Sequence, residues 1–235
     1  MRRVFATLAT TALLLAGGCA GKYEARLNQT LEDMRYRKRL NDNLMDPVTK
    51  TKLETYNVYL RPPKSLAQSK EFLLTVLDPG KFDDAESFTD KQNLMHVLTR
   101  VKLPKAPAKK GAAEPPPPVN RGDFTTDVVG LLNGVYNVEV DSAKAKEESK
   151  KNNKFKHIVF EANGKVVHLY IHGAKTSTEV ALIFEFPKSE QAALVSKIDL
   201  CLESFATGEK ARRAFSGSET EEEATEGAGG APAVF

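Results

Sequence analysis

Two stretches near the middle of the chain alternate apolar and polar residues with a period of two, the pattern typical of a β-strand. They cover residues 155–161 and 166–172, and Asn163-Gly164 lies between them. This dipeptide tolerates the positive φ angles of a two-residue hairpin turn. The pattern therefore predicts a β-hairpin in which Ala162 pairs with Lys165.

A third apolar run, residues 179–186, follows the hairpin closely and is predicted to pair with its second strand, giving an antiparallel meander. We expect Val180, Leu182 and Phe184 to join the apolar face of the hairpin, with His172 opposite Glu179. The other face is expected to be the wetter one. It carries His157, Glu161, His168, Tyr170 and His172.

An amphipathic helix is predicted directly after the meander. Pro187 ends the third strand, Ser189 is suited to cap the helix, and Gly208 is suited to end it in a left-handed conformation. The apolar stripe of this helix consists of Leu194, Val195, Ile198, Cys201, Leu202 and Phe205. Residues 209–235 contain many Glu, Gly, Ser and Thr residues and are predicted to be a disordered acidic tail.

The first half of the chain predicts two more helices. Residues 22–44 combine dense charge of both signs with a narrow apolar stripe, which favours a stalk-like helix that ends before Pro47. Residues 124–133 share an apolar face, with Asp123 as the N-cap and Gly134 as the end of the helix.

Strands in this half are predicted from shorter apolar runs at residues 55–60, 71–77 and 97–103, and another is predicted to begin at Tyr136. Residues 104–122 form a proline-rich insertion whose composition cannot bury a core. The basic stretch 144–156 is predicted to be a solvated loop or helix face.

The N-terminus has the order of a secretory signal. Two arginines at positions 2 and 3 precede an apolar run over residues 4–15, and small residues at 16–18 lead to Cys19. The run is too short to span a bilayer as a helix. This order resembles the lipobox of bacterial lipoproteins.

The lipobox resemblance implies cleavage before Cys19 and a covalent lipid on that residue, which would hold the mature chain on a membrane. In Gram-negative lipoproteins the residue after the cysteine directs sorting. Ala20 is not the aspartate that retains lipoproteins in the inner membrane. The resemblance therefore implies an outer-membrane location facing the periplasm.

These elements divide the chain into four segments: a signal peptide (1–18), a lipid anchor with an amphipathic stalk helix (19–53), a single α+β domain (54–208) with its insertion, and the tail (209–235). The fold class is α+β, with a largely antiparallel sheet covered by helices. The meander over residues 166–186, followed by a long helix, resembles Mog1/PsbP-like domains.

Composition and motifs argue against several classes of function. The formal net charge is only +3, and the lysines of residues 144–156 lack interleaved aromatic residues, so no nucleic-acid partner is expected. The chain has no nucleophile elbow, phosphate loop or helical zinc-protease motif. We therefore expect no enzymatic activity, and no metal or cofactor apart from the lipid on Cys19. Cys201 is expected to be a buried thiol outside any disulfide.

Two functions remain open. In the first, the domain is a non-catalytic binding or scaffolding module that assists a partner complex of the cell envelope. In the alternative, a metal or small ligand binds at His157, His168 and His172, or an enzyme works there, because diagonal cross-strand neighbours lie about 7–8 Å apart. A groove away from the histidines would favour the first function, and a groove that contains them would favour the second.

Overall fold

The computed structural model describes residues 2–70, 74, 80–102, 121–173 and 177–216, with side chains described from residue 23 onward. The chain divides into two compact units, Met1–Asn43 and Leu44–Phe235. The run predicted at 71–77 lies outside the described residues except for the buried Leu74. The proline-rich insertion likewise lies outside them except at its last two residues.

The first unit is one helix, α1 (Arg2–Asn43). The predicted helix over residues 22–44 is confirmed at its C-terminal end to within one residue, but its start is not, because helical backbone begins at Arg2 and continues through the expected boundary between the signal peptide and Cys19. The Cys19 side chain lies outside those described. None of the described helices is long and apolar enough to cross a bilayer. Exposed apolar side chains mark part of α1, namely Tyr23, Leu27, Leu31 and Met34.

The second unit is built on an antiparallel sheet, and the predicted α+β class is confirmed. Seven described strands form this sheet in the order β2-β3-β4-β8-β7-β6-β5. They are β2 (Ala67–Gln68), β3 (Asp84–Thr89), β4 (Leu94–Val101), β5 (Lys146–Lys150), β6 (Asn153–Ala162), β7 (Lys165–His172) and β8 (Thr178–Pro187). A separate two-stranded sheet pairs β1 (Val58–Tyr59) with β9 (Ala206–Thr207). The helices are α2 (Lys52–Thr55), α3 (Phe124–Tyr136), α4 (Gln191–Ser204) and α5 (Glu209–Ser216).

The predicted hairpin is confirmed in its register. Strands β6 and β7 pair with Ala162 opposite Lys165 and Ile158 opposite Leu169. The turn residue Gly164 has φ of +76°, a conformation that glycine adopts at little cost. Local sequence was sufficient here because the turn type sets the register of the strands it joins.

The predicted pairing of β7 with β8 is wrong by one residue. His172 lies opposite Val180 rather than Glu179, and Tyr170 lies opposite Leu182. Successive side chains point to opposite faces, so the shift moves Val180, Leu182 and Phe184 onto the histidine face. The apolar pattern could not prevent this error, because β8 is buried on both faces and either parity is apolar.

Two helices cover the two faces of the sheet. Helix α3 packs on the face of Leu169 and Ile183, where Val128 and Leu132 are fully buried. Helix α4 packs against β5 and β8 on the histidine face. The histidine face is therefore partly covered. His168 and Tyr170 are buried, whereas Val159 and Glu161 on the same face are exposed, so it is the wetter face of the hairpin, as expected.

Ion pairs attach each helix to the sheet. Arg100 of β4 donates to Asp127 of α3 at 2.9 Å and to Glu179 of β8 at 3.0 Å. Lys150 of β5 lies 2.7 Å from Asp199 of α4. Because Arg100 is buried, its two carboxylate partners are needed to offset the loss of its hydration.

The C-terminal region differs from the prediction at both ends of its helix. Helix α4 begins after the 3₁₀ turn Lys188–Glu190, and Ser189 lies within that turn without capping the helix. The helix ends at Ser204. Phe205 is extended, and Gly208, with φ of +64°, precedes α5 rather than ending α4.

The first part of the predicted disordered tail is helical. In α5 the side chain of Ala211 is buried, and the ring of Phe215 lies edge-on to Tyr59 at 5.2 Å. These contacts supply the burial that the local composition did not indicate. Residues 217–235 lie outside the described residues.

The first half of this unit also corrects several predictions. Asp123 caps α3 as predicted, but the helix continues past Gly134 to Tyr136, where a strand was expected to begin, and Asn137 ends it in the left-handed conformation. Residues 146–150 form β5 where a loop or helix face was expected. Strand β4 confirms the run before residue 103, while the run at 55–60 yields only the two residues of β1. Strands β2 and β3 were not predicted.

We expect Phe205→Ala to lower the free energy of unfolding by about 3–5 kcal/mol, because Phe205 is buried between Phe155 and His172 with ring centroids 5.7 and 5.1 Å away. Denaturant melts followed by circular dichroism would measure the change. Phe215→Ala, which removes a half-buried ring at the edge of the unit, is the matched control and should cost clearly less. Equal melting of the wild type and Phe205→Ala would contradict this packing.

Candidate functional site

The densest group of titratable side chains lies between the sheet and α4. His157 on β6 faces Tyr170 on β7, and His168 lies two residues from Tyr170 on the same strand and face. Glu148 of β5 approaches from the neighbouring strand. We call Glu148, His157, His168 and Tyr170 the histidine cluster. Strand pairing alone brings these four side chains together, since they belong to three successive antiparallel strands.

A continuous chain of polar contacts runs through the cluster. Lys150 lies 2.7 Å from Glu148, whose other carboxylate oxygen lies 2.7 Å from Nδ1 of His157. Nε2 of His157 then lies 3.2 Å from Nδ1 of His168. Because Lys150 also contacts Asp199 of α4, the chain extends from the helix to the second histidine.

Ring contacts fix the orientation of the two imidazoles. His157 stacks on Tyr170 with centroids 4.1 Å apart and planes 4° from parallel. His168 lies 5.3 Å from the ring of Phe186. The side chains of His168 and Tyr170 are both buried. The rings are thus held by packing as well as by hydrogen bonds.

With both rings neutral, the tautomers can be assigned from these contacts. The carboxylate of Glu148 accepts from Nδ1 of His157, so Nε2 of the neutral ring is an acceptor for the Nδ1–H of His168. Nε2 of His168 is then an acceptor as well. It is buried and has no hydrogen-bond partner among the described residues.

Burial keeps both imidazoles neutral near pH 7. It lowers the pKa of His168 to about 4, and the neighbouring His157 lowers it further in the same direction. Burial also lowers the pKa of His157, although Glu148 acts against this. For Glu148, burial raises the pKa, but the hydrogen bond from Lys150 and the positive charge of that lysine act against it, and the pKa lies below its usual range.

Two residues predicted to share this face do not join the cluster. Nδ1 of His172 donates to the carbonyl of Lys154 at 3.0 Å, and burial lowers the pKa of His172. The Glu161 side chain is exposed and lies 2.6 Å from Lys188. The structure therefore brings His157, His168 and Tyr170 together and leaves His172 and Glu161 outside.

The cluster offers little to a metal ion. In the described part of the chain, no group of three or more His, Cys, Asp or Glu side chains has the arrangement of a metal site. Both nitrogens of His157 make contacts within the cluster. Among the cluster's imidazole nitrogens, Nε2 of His168 is therefore the one left to bind a metal ion. Structural zinc sites use four ligands and catalytic ones three from the protein.

A second buried polar group lies on the opposite face, and sequence reasoning missed it. Glu185 of β8 accepts hydrogen bonds from Tyr136 of α3 and from Lys165 of β7. His96 of β4 is buried, and its Nδ1 lies 2.8 Å from the hydroxyl of Ser87. Burial lowers the pKa of His96 to about 4. The sequence did contain a signal for the buried Glu185, because it is a carboxylate within the otherwise apolar run 180–186.

The charged residues of Arg121-Gly122-Asp123 are used within the fold. Arg121 donates from Nη1 and Nη2 to the two carboxylate oxygens of Asp83 at 2.8 and 2.7 Å. The carboxylate of Asp123 accepts from the backbone of Thr126 at the start of α3. Both side chains therefore have structural partners.

A shallow groove with a volume of about 380 Å³ lies at the edge of the sheet. One wall is the outer edge of β6, and the other is the segment that leads from α3 into β5. Its lining includes His157 but neither His168 nor His172. Its other lining residues are Glu139, Val140, Asp141, Lys144, Lys146, Ile158, Val159 and Phe160.

Among the solved structures that resemble this chain in fold are three of low sequence identity. A cyanobacterial PsbP protein from Synechocystis sp. PCC 6803 is 10% identical, with a TM-score of 0.45, and the alignment covers 71% of this chain and 93% of that one. A mutant of the protein Mog1 is 11% identical, with a TM-score of 0.39 and coverage of 70% and 96%. A protein from Bacteroides thetaiotaomicron VPI-5482 is 9% identical, with a TM-score of 0.38 and coverage of 65% and 46%.

These similarities concern the fold at a distant level and carry no information about function. The predicted resemblance to Mog1/PsbP-like domains is seen at this level alone. No protein-family model matches the chain, and no curated protein matches it.

The buried histidines predict a loss of stability in mild acid. His96 and His168 stay neutral in the fold but accept protons once unfolded, so their contribution is present above pH 6.5 and is lost as the pH falls towards 4. At pH 5 each histidine should cost roughly 2 kcal/mol relative to pH 7.5. Urea melts at the two pH values would measure this. The phenylalanine ring of the variant His168→Phe suits the aromatic surroundings. In this variant the loss of unfolding free energy between pH 7.5 and pH 5 should be smaller by the contribution of one histidine.

An independent measurement is the NMR titration of the imidazole Cε1–H resonances. We expect His96 and His168 to remain neutral at pH 5. Midpoints near 6.5 for both would contradict the closed environment described above.

Proposed function

We propose that this chain is a lipid-anchored protein of the cell envelope whose second unit is a non-catalytic binding or scaffolding module for an envelope protein. In this proposal a lipid on Cys19 holds the mature chain on the outer membrane, facing the periplasm. The module presents its surface to a partner complex and needs no cofactor.

The anchoring part is supported by the residue order of the N-terminus. A charged start, a short apolar run and small residues precede Cys19, and Ala20 follows it. Burial of acyl chains contributes about 0.8 kcal/mol per methylene, so two or more chains on one residue give stable attachment. The sequence around Cys19 therefore accounts for attachment without a spanning helix.

One observation carries the non-catalytic part: the histidine cluster is closed by its own contacts. Glu148 and both nitrogens of His157 are engaged within the cluster, and His168 is buried against aromatic rings. A general base must reach the proton it removes within hydrogen-bonding distance, or through one water. The described side chains thus suit a role in fixing α4 to the sheet through Lys150 and Asp199.

The anchoring proposal predicts the behaviour of Cys19→Ala. Without the thiol no lipid is attached, so the variant should lose its acyl mass and either remain uncleaved or move to the soluble fraction. Membrane fractionation and intact-protein mass spectrometry would show this. Cys201→Ala is the matched control, because Cys201 is buried in α4, and it should fractionate like the wild type. Unchanged fractionation and mass for Cys19→Ala would refute the lipid anchor.

Two features favour the alternative of a metal- or small-ligand-binding protein, or an enzyme, at the histidine face. Nε2 of His168 lacks a partner among the described residues, and the sheet-edge groove includes His157. Because one histidine of the cluster lines the groove, a ligand bound there would contact it, and this alternative can be tested directly.

We expect calorimetric titration of the chelator-treated protein with zinc, copper or nickel to give no stoichiometric site. The reason is that the cluster offers one free imidazole nitrogen in place of a ligand set. A tight one-to-one isotherm that disappears in the double variant His157→Phe and His168→Phe would establish the alternative. The aromatic replacements preserve ring packing, so a loss of metal binding would not be due to unfolding.

A further inference from the structure

The outer edge of β6 is only partly covered. Strand β5 pairs with the first half of β6. This pairing ends at His157 of β6, which lies opposite Lys146, the first residue of β5. The chain before Lys146 turns away through the 3₁₀ turn Ser142–Lys144. The second half of β6, residues 158–162, therefore continues without a described neighbour on that side.

The backbone groups of two residues point to this open side. In an antiparallel pair, alternate residues direct both N–H and C=O to the same neighbour. The two-residue turn makes Ala162 and Lys165 a hydrogen-bonded pair, so Phe160 and Ile158 also bond to β7. Val159 and Glu161 must then direct their N–H and C=O groups outward. No described residue bonds to these four groups.

The sheet-edge groove lies along this open edge, and apolar side chains flank it. Val159 is 48% exposed, which is unusual for a valine in the middle of a strand, and Phe160 is half-buried on the other face. By contrast, the outer edge of β5 is a short run of Lys, Glu and Ser, a composition that discourages strand addition. The open part of β6 lacks this protection.

We propose that an extended segment of the partner protein adds to β6 as a further strand, bonding to the backbone of Val159 and Glu161. Two outward pairs about 7 Å apart match the repeat of an extended peptide, which presents its own N–H and C=O groups at the same spacing. The segment would pair with the part of β6 that lies beyond the end of its pairing with β5. This assignment rests on the proposed binding function and names the surface that performs it.

The side chains around the groove indicate the chemistry of that segment. An apolar residue would cover Val159 on the α4 face. Lys144 and Lys146 line the groove, are exposed, and have no carboxylate within salt-bridge distance among the described residues. The lining also contains the carboxylates of Glu139 and Asp141, which equal the two lysines in number, so charge does not select the segment. The segment should therefore be an extended one that presents an apolar residue to Val159.

The probe is a display library of random seven-residue peptides, selected against the full-length protein in detergent. We expect enriched peptides to alternate apolar and polar residues, the pattern of an added strand with one apolar face. Val159→Pro should weaken their binding at least tenfold, since proline removes an outward N–H while leaving the bonds from β6 to β7 intact. Val159→Lys, which keeps the backbone donor, should weaken it through the charged side chain.

Ser149→Pro is the matched control. Ser149 has its backbone groups on the outer edge of β5, so this variant places the same residue type on a neighbouring free edge and should bind the selected peptides like the wild type. Amide hydrogen exchange provides a second readout. The peptide should slow exchange at Val159 and Glu161 but not at Ser149. Equal binding by Val159→Pro, or no change in exchange at these amides, would overturn the proposal.

A second copy of the chain is the competing occupant of this edge. Size-exclusion chromatography with light scattering should give a monomer for both the wild type and Val159→Pro. A wild-type dimer that Val159→Pro converts to a monomer would assign the edge to self-association and overturn the proposal.

Cross-linking in intact cells separates a failure of this inference from a failure of the proposed function. If Val159→Pro no longer cross-links the envelope protein that the wild type captures, the edge is the docking surface. If both capture it equally, the binding function stands and the edge is not involved. If neither the wild type nor the variant captures an envelope protein, the proposed function itself is wrong.

Discussion

The pairing of β7 with β8 is the constraint on which the rest of the second unit depends. Strand β8 lies at the centre of the seven-stranded sheet, between β4 and β7, and nearly all of its side chains are buried. Its register places Leu182 beside Tyr170 and Phe184 beside His168. A shift of one residue would exchange the faces of β8, placing Glu185 under α4 and Phe184 under α3. The buried polar partners described above would then be separated.

A carboxylate on each face of the sheet links it to a helix. Glu185 joins α3 to the sheet through Tyr136, and Glu148 joins the histidine cluster to α4 through Lys150 and Asp199. Glu185 is buried and would be costly without a partner, whereas Glu148 is partly exposed, so the contacts of Glu185 constrain the position of their helix more strongly. We interpret the two clusters as devices that select one arrangement of helices on a sheet whose apolar faces alone would permit several.

The same arrangement separates structure from binding on this sheet. The histidines lie inside, where burial lowers the pKa of each imidazole, and they contribute to packing and to acid sensitivity. The proposed recognition surface is instead the backbone of Val159 and Glu161 at the sheet edge. Recognition there would need no reactive side chain, because an added strand is held by main-chain hydrogen bonds.

The sequence by itself determined the features that rest on local contacts. The hairpin register followed from the Asn163-Gly164 turn, and the cap at Asp123 followed from the short reach of its side chain to nearby backbone N–H groups. Tertiary structure decided the features that rest on distant contacts. The register of β8, the helix α5 and the burial of His96 all depend on neighbours far along the chain. A period-two pattern shows which residues share a face, but it does not show what covers that face. The burial of His168 and Tyr170 therefore follows only from the tertiary structure, in which α4 packs on their side of the sheet.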